Sequence, residues 1–425
     1  MKIAIIGTGI AGNVLAYHLH KDHDITVFEA NDYIGGHSHT HDIRIDDEHQ
    51  VIDTGFIVFN YRTYPKFTAL LDELGVGARK SDMSFSVKCD ISGLEYNGKN
   101  LNTLFAQRRN LLRPSFYRML GDILRFNRTA PELLNQTDNH ISLGEYLQQQ
   151  NFGSEFVSQY IIPMGSAIWS SSFNQMMAFP AQLFIRFFAN HGLLSVNDHP
   201  DWYVIDGGSR QYVEALTRSH RDCIRLGEPV YRIDRKPGWV EISGPNTRAE
   251  KFDFVFMACH ADQALTMLDK ADAFERDILS AFPYQQNEAI LHTDQSILPK
   301  QQRAWAAWNY HRRNDFTRPA AVTYNMNILQ GLRSRHTLCV TLNNSEAIDE
   351  SRILRRMQYA HPLFTERGML AQQRHCEING YRRCFYAGAY WRYGFHEDGV
   401  VSALQALQHF NEQPAYEQQT VRRAG

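Results

Sequence analysis

The apolar positions of the first thirty residues change period twice. Ile3, Ala4, Ile5 and Ile6 form an unbroken run rich in β-branched residues, the pattern of a strand buried on both faces of a parallel sheet. The run stops at Gly7-Thr8-Gly9-Ile10-Ala11-Gly12, after which Val14, Leu15 and Leu19, with the ring of His18, fall at helical spacing. A further apolar run, Ile25 to Phe28, predicts a second strand ending at Glu29. The product is a βαβ unit whose turn reads G-x-G-x-x-G. Gly7 permits the tight turn, Gly9 lets backbone approach a pyrophosphate, and Gly12 lets helix and strand pack closely, with phosphates on the helix N-terminus. Glu29, twenty positions after Gly9, stands where a carboxylate accepts hydrogen bonds from an adenosine ribose and repels a ribose 2′-phosphate. Ile10, Ala11 and Ala30 complete this cradle. Dinucleotide binding follows; the motif alone does not separate NAD from FAD.

Farther along, Phe67, Leu70, Leu71 and Leu74 recur at i, i+3, i+4 and i+7 ahead of Gly75, predicting a helix with one buried stripe. From Leu101 to Ala130, six arginines (Arg108, Arg109, Arg113, Arg118, Arg125, Arg128) and one acid, Asp122, interleave with Leu111, Leu112, Phe116, Met119, Leu120, Ile123, Leu124 and Phe126. Such a basic amphipathic segment either lies on anionic lipid or packs as a helix with a solvated arginine face. Phe179 to Leu194 reads as a core helix or a pocket wall. Pro229-Val230 opens a strand towards Ile233 whose expected partner is Phe252 to Ala258, and Gly244-Pro245-Asn246 marks a turn between strands. Near the end, Asp398 followed by Gly399, Val400, Ala403, Leu404, Leu407 and Phe410 predicts an N-capped helix with its positive end open.

Charge and cysteine content narrow the functional class. Forty-four Lys and Arg against 46 Asp and Glu leave a net charge of -2, which gives no global field for a polyanion, so nucleic acid is not an expected partner. The 6 cysteines lack C-x-x-C spacing and do not staple a chain of 425 residues, which fits a reducing cytoplasm. The N-terminal apolar run is too short for a signal-peptide core, and no eighteen uncharged apolar residues follow one another. The expected location is cytoplasmic, with peripheral contact to the inner face of the membrane through 101–130. Neither a G-x-S-x-G elbow, an H-E-x-x-H nor a Walker loop is present, so hydrolase chemistry has no support. His37-Ser38-His39-Thr40-His41 offers three imidazoles to one strand face and hence a rival zinc reading; no metal is the preferred expectation.

These motifs, with those that follow Glu29, resemble the flavin-containing amine oxidase and phytoene desaturase superfamily. The resemblance rests on Gly35-Gly36-His37 with Thr40, on Asp53-Thr54-Gly55-Phe56, on Pro229-Val230, and on Phe385-Tyr386-Ala387-Gly388 with Gly394-Phe395-His396-Glu397-Asp398-Gly399-Val400. It implies an α/β, two-dinucleotide-binding-domain flavoprotein with a Rossmann-like FAD domain and an interwoven α+β substrate domain. The implied FAD-binding parts are 1–70, 205–275 and 380–425; the implied substrate parts are 71–204, mostly helical, and 276–379. Gly36, His37, Thr54, Gly55, Phe56, Val230, Ala258, Gly388, Glu397, Gly399 and Val400 are implied cofactor contacts, with His396 and Glu397 as polar groups near the ring. The chain departs from the family at His37, where Arg is usual, at Ala389, where Glu is usual, and at Phe395, where amine oxidases place Tyr. The last departure argues against an aromatic cage for an amine.

A flavin takes hydride itself, so a sparse catalytic inventory suffices. No second dinucleotide turn is present for NADPH, which leaves oxygen, a quinone or another diffusible acceptor to reoxidise FAD. The apolar blocks between the cofactor segments point to a long, apolar or lipid substrate, with Trp308, Tyr310, Tyr324, Trp391 and Phe395 as expected pocket residues. The leading expectation is hydride abstraction from such a substrate, as in desaturation of a fatty-acyl or isoprenoid chain. A narrower resemblance, to bacterial members of the superfamily implicated in fatty-acyl modification, is carried by Asn60-Tyr61-Arg62-Thr63-Tyr64-Pro65 and Gly394 to Gly399. An amine oxidase and a non-catalytic lipid-binding module on the same fold are the alternatives.

Overall fold

In a computed structural model describing residues 1–136, 141–195, 198–246 and 249–412, the chain is organised around two principal sheets. Lys2–Ile6 is the middle strand of a five-stranded parallel sheet ordered Cys384–Tyr386, Phe254–Met257, Lys2–Ile6, Asp24–Phe28, Ile224–Arg225. Alternation along this strand divides its side chains between two cores. Ile3 and Ile5 pack with Val14 and Leu15 of the first helix, Ile10–Leu19, and with Ala403 and Leu407 of the last, His396–Asn411. Ala4 and Ile6 pack on the other side with Val240, Ile242 and Phe252 of an antiparallel meander, Arg232–Lys236, Trp239–Ser243 and Glu250–Phe252. Cover on both faces is the reason the run is apolar throughout.

Two expectations about elements are corrected. The apolar stretch Phe252 to Ala258 serves two sheets, because the chain breaks at Asp253: Phe252 closes the meander, while Phe254–Met257 enters the parallel sheet beside Lys2–Ile6. The Asp253 carboxylate accepts from the Lys2 N–H at 2.7 Å and fixes the break. The last helix starts at His396, so Asp398 is its third residue; its carboxylate turns back to accept from the N–H of Phe395 at 2.9 Å and of Tyr393 at 3.2 Å. The cap is satisfied from inside the first turn. Of the block expected to close the chain, 413–425 lies outside the described residues.

The second sheet has seven strands, in the order Ile353–Pro362, Tyr284–His292, Cys339–Leu342, Ala321–Asn325, Trp308–Arg312, Phe85–Cys89, Glu95–Asn97. It is antiparallel except where Trp308–Arg312 runs parallel to Phe85–Cys89. The helices Pro114–Thr129, Leu143–Gln149, Ile162–Trp169 and Ala181–Asn190 share its core. The predicted helix before Gly75 is Pro65–Leu74, burying Phe67, Leu70 and Leu71 and ending on Gly75 at φ 66, the left-handed position that glycine takes without strain. The fold is thus α/β, a parallel Rossmann-like sheet interwoven with an α+β part, as the sequence implies.

One interaction inside the cofactor half carries a stability prediction. Arg235 of the meander and Glu275 of the helix Ala273–Leu279 form an ion pair with side chains 2% and 0% exposed, and the Tyr386 hydroxyl donates to Glu275 at 2.9 Å. Glu275→Ala strands a buried guanidinium and is expected to destabilise the protein by about 3–5 kcal/mol, read from urea unfolding. Arg235→Met with Glu275→Leu should recover most of the loss, since burying neither charge removes the penalty.

Candidate active site

The C-terminal ends of the parallel strands meet a large cavity of about 2150 Å³. Gly7, Thr8, Gly9, Ile10, Ala11, Glu29, Ala30, Gly36, His37, Gly55, Phe56, Val230, Ala258, Gly388, Phe395 and His396 all lie on its wall. Ligands of open α/β sheets bind at this edge, and most of the sequence-predicted cofactor residues converge there from segments distant in the chain.

The glycines divide their tasks by geometry. A Cβ on Gly12 would stand 1.9 Å from the Gly7 carbonyl oxygen, so Gly12 is where helix and turn touch, and it stays off the wall. A Cβ on Gly9 would meet no protein atom within 4 Å; it would project into open space at the start of the first helix. That space is a cradle with room for a pyrophosphate between bare backbone and the helix N-terminus. Gly36, at φ 58, brings its own backbone against it, with a notional Cβ only 3.1 Å from the Gly9 Cα.

Glu29 is 5% exposed and held on both oxygens. Oε2 accepts from the Thr8 N–H at 2.8 Å and the Thr8 hydroxyl at 2.5 Å; Oε1 accepts from the Asn31 N–H at 2.9 Å and its amide at 2.8 Å. A fixed carboxylate at the end of the second strand is the group that receives ribose hydroxyls. Thr8, which also takes the Gly35 N–H at 3.2 Å, is a positioning residue that motif reading passes over because the fingerprint leaves its place variable.

Next to Gly36 the wall carries a cluster of imidazoles. His37 lies 5.5 Å from His361, 6.1 Å from His260 and 5.2 Å from Tyr359 between ring centres. Burial, then the neighbouring His260, pushes His37 down to about 4, so it approaches a phosphate as a neutral group, without the charge of the usual arginine. Its Nε2 is buried with no protein partner, an orphaned polar atom facing a site for a polar ligand. His260, also pushed down to about 4 by burial, stacks on Tyr284 at 4.4 Å. His361, pushed down to about 3 by burial and by His37, is held through Nδ1 by the Ser170 hydroxyl at 3.1 Å and the Asn287 amide at 3.2 Å. His260, Tyr359 and His361 were not legible as site residues: they stand in strands and loops without a motif.

Several expected roles are corrected. Glu397 does not face the cavity; its carboxylate caps the helix Pro65–Leu74, accepting from the Lys66 N–H at 3.0 Å and the Phe67 N–H at 2.8 Å. His396 is on the wall, its ring stacked on Phe56 at 3.6 Å and its Nε2 bonded to Tyr212 at 2.6 Å and Ser38 at 3.1 Å. Thr54, Gly399 and Val400 also stand off the wall: Thr54 bonds Tyr359 at 2.7 Å, and Gly399 admits Ile10, whose Cγ2 would be 2.6 Å from a Cβ. Trp308 and Tyr324, paired edge to face at 4.9 Å, line the cavity, as does Phe395, stacked on Phe187. Tyr310 and Trp391 do not: Tyr310 is in the core of the seven-stranded sheet, and Trp391 packs on His375 and Phe282. The rival zinc reading also fails on geometry. His39 bonds Tyr359 and His41 bonds Thr54, while His37 turns to His260 and His361; among the described residues no such cluster is arranged for a metal.

A parallel sheet with a glycine cradle, a fixed acidic residue and one deep cavity defines a dinucleotide-dependent enzyme of the Rossmann-like class. The sequence profile of flavin containing amine oxidoreductases matches residues 10–311, and the chain belongs to that family. No curated protein matches it in sequence. Among solved structures it is similar to the CLA-producing fatty acid isomerase from P. acnes, 16% identical, with TM-score 0.68 over 96% of this chain and 98% of that one. It is also similar to cyclohexylamine oxidase from Brevibacterium oxydans IH-35A, 14% identical, TM-score 0.68, 97% and 99% covered. Reduced UDP-galactopyranose mutase matches at 15% identity and TM-score 0.67, over 96% and 93%. At these identities the likeness is one of fold. The chain is an FAD-dependent oxidoreductase, and the cradle at Gly9, the carboxylate of Glu29 and the orphaned His37 Nε2 are the features into which FAD fits.

Proposed function

We propose that this oxidoreductase removes hydride from a long apolar substrate, specifically a fatty-acyl or isoprenoid chain that it desaturates. The observation that carries this reading is the extent of the cavity. Beyond the cofactor cradle it continues past Phe85, Trp308, Tyr324, Met164, Ile168 and Phe187 to Leu101, Leu104, Leu120, Ile123 and Leu124. Its volume of about 2150 Å³ is more than twice that of an ordinary small-ligand site of up to about 1,000 Å³, so cofactor and a long second molecule have room together. Asp82 and Asp201, the carboxylates on this outer portion, are spoken for by Lys99 and Lys80. Among the described residues an alkylammonium group would find no unpaired carboxylate on this outer portion.

When bound, FAD supplies the two-electron acceptor. The chain's own residues orient the substrate, exclude water and receive a proton. Desaturation breaks two C–H bonds on adjacent carbons: one hydrogen leaves as hydride, the other as a proton, and the electron pair left behind forms the double bond. That proton passes to a basic group on the cavity wall; the imidazoles of His37, His260 and His361, which burial pushes down to about 4, 4 and 3, hold a proton too weakly for that role. Oxygen, a quinone or another diffusible acceptor then regenerates the oxidised enzyme.

The test is anaerobic mixing of FAD-loaded protein with detergent-dispersed phosphatidylglycerol carrying unsaturated acyl chains, or with a panel of primary amines. Bleaching of the flavin by the lipid, with a product two hydrogens lighter, is expected. Bleaching by amines alone, with ammonia released, would replace this reading with an amine oxidase.

A further inference from the structure

Of the large apolar side chains exposed on this protein, five lie in one short segment: Leu101 at 75%, Leu111, Leu112 at 89%, Tyr117 and Leu124 at 59%. Apolar residues scattered singly need no explanation, whereas a cluster does. On the helix Pro114–Thr129, Tyr117, Gly121, Leu124 and Arg128 follow at i, i+4, i+7 and i+11 and are all exposed, while Phe116, Met119 and Phe126 are buried on the opposite side. The preceding turn, Arg108–Leu112, adds Leu111 and Leu112 to the same surface, and the Tyr117 hydroxyl donates to the Leu111 carbonyl at 3.1 Å. The face is therefore one continuous patch.

Its charge has one sign. Arg108, Arg109, Arg113 and Arg118 have no carboxylate partner among the described residues; Arg108 and Arg109 donate to the carbonyls of Phe105 and Gly93, which fixes their stems and leaves the charges uncompensated. Asp122, the acid of the segment, is neutralised by Arg125 at 2.8 Å. Leu101 and Leu124 belong both to the patch and to the cavity wall, together with Leu104, Leu120 and Ile123. The apolar surface outside and the apolar cavity inside are thus continuous at this corner. No helix among the described residues is long and apolar enough to cross a membrane, so the contact this patch can make is interfacial.

We propose that the segment Leu101–Arg128 docks the protein on an anionic phospholipid surface, leucines dipping among the acyl chains and arginines at the phosphates, with the cavity mouth opening on the lipid. Arginine beside exposed leucine is the pairing that an anionic interface selects; a protein partner would supply carboxylates to the same arginines and would not need the leucines in hydrocarbon. The docking itself stands on the patch. Only the further step, that substrate enters from the lipid, rests on the acyl or isoprenoid reading above.

The experiment is flotation of the FAD-loaded full chain with phosphatidylglycerol–phosphatidylcholine vesicles and with phosphatidylcholine vesicles alone. Wild-type protein is expected to float with the anionic vesicles and to stay behind with the neutral ones. Leu111→Asp with Leu112→Asp, and separately Arg108→Glu with Arg109→Glu, should each lower the vesicle-bound fraction about tenfold while FAD content and melting temperature are unchanged. Recovery of wild-type protein in the soluble fraction with both vesicle types would overturn the proposal. So would flotation undiminished in a variant carrying all four substitutions, which would put the contact elsewhere. Protein that floats but is not bleached by dispersed lipid keeps the docking and loses the acyl substrate; protein that is bleached but does not float does the reverse.

Discussion

Gly9→Val is expected to yield a folded, colourless protein. Gly9 has φ -61 and ψ 178, an ordinary extended conformation that valine adopts, and its missing Cβ would touch no protein atom within 4 Å. The cost to the apoprotein is therefore confined to a poorer helix N-cap, about 1 kcal/mol. The isopropyl group instead fills the space through which the pyrophosphate must approach bare backbone, and a loss of FAD affinity of at least about 100-fold, or ~3 kcal/mol, follows. Gly12→Val is the control with the opposite logic. Its Cβ would stand 1.9 Å from the Gly7 carbonyl oxygen and 2.9 Å from the carbonyl carbon, so the turn has to move, and both stability and cofactor are lost. Thermal unfolding and flavin content, measured on both variants, separate the two tasks. A yellow Gly9→Val protein with wild-type flavin content would place the phosphates outside this turn.

That contrast also marks which parts of the site are legible in the sequence. The cradle is, because its residues lie within thirty positions of each other and each is dictated by a local requirement: a left-handed turn at Gly7, a bare backbone at Gly9, a close packing at Gly12, an acid at the end of a strand. Glu397 was misplaced because its partners are the Lys66 and Phe67 N–H groups, more than 300 residues away in the chain. A carboxylate beside a predicted flavin and a carboxylate capping a remote helix read alike in one dimension. Aromatic residues fail for a related reason. Trp308 and Trp391 have similar sequence surroundings, and only the tertiary arrangement sends one to the cavity and the other against His375. The imidazole cluster is the deepest loss: His37, His260 and His361 come from a loop, a helix start and an edge strand, and no periodicity links them.

Histidine burial makes the second large prediction, that four buried histidines, net of Asp398, lower stability by about 3 kcal/mol between pH 7.5 and 5.5. Four histidines away from the cofactor cradle are nearly inaccessible: His220 and His292 in the core at 2% and 0%, and His191 and His375 at 8%. Burial pushes each down to about 4. His292 shows the reason in hydrogen bonds: Nδ1 accepts from the Asp294 N–H at 3.0 Å, so a second ring proton would face a donor. In the unfolded chain these groups regain a pKa near 6.5 and bind protons that the folded protein refuses, so the stability they confer is complete above that value and drains away as pH falls towards 4. At pH 5.5 each costs about 1.4 kcal/mol, roughly 5 kcal/mol together. Asp398, which burial pushes up to about 7, works the other way. Its neutral form is favoured by the fold, its contribution is lost as pH rises through that value, and acidification returns about 2 kcal/mol. The histidines outweigh it. Urea midpoints at pH 7.5, 6.5 and 5.5 should therefore fall in order, and His292→Asn, which keeps an acceptor for the Asp294 N–H, should flatten the slope by about one proton. A midpoint that held steady or rose on acidification would mean these imidazoles are charged in the native protein, and the packing described around them would be wrong.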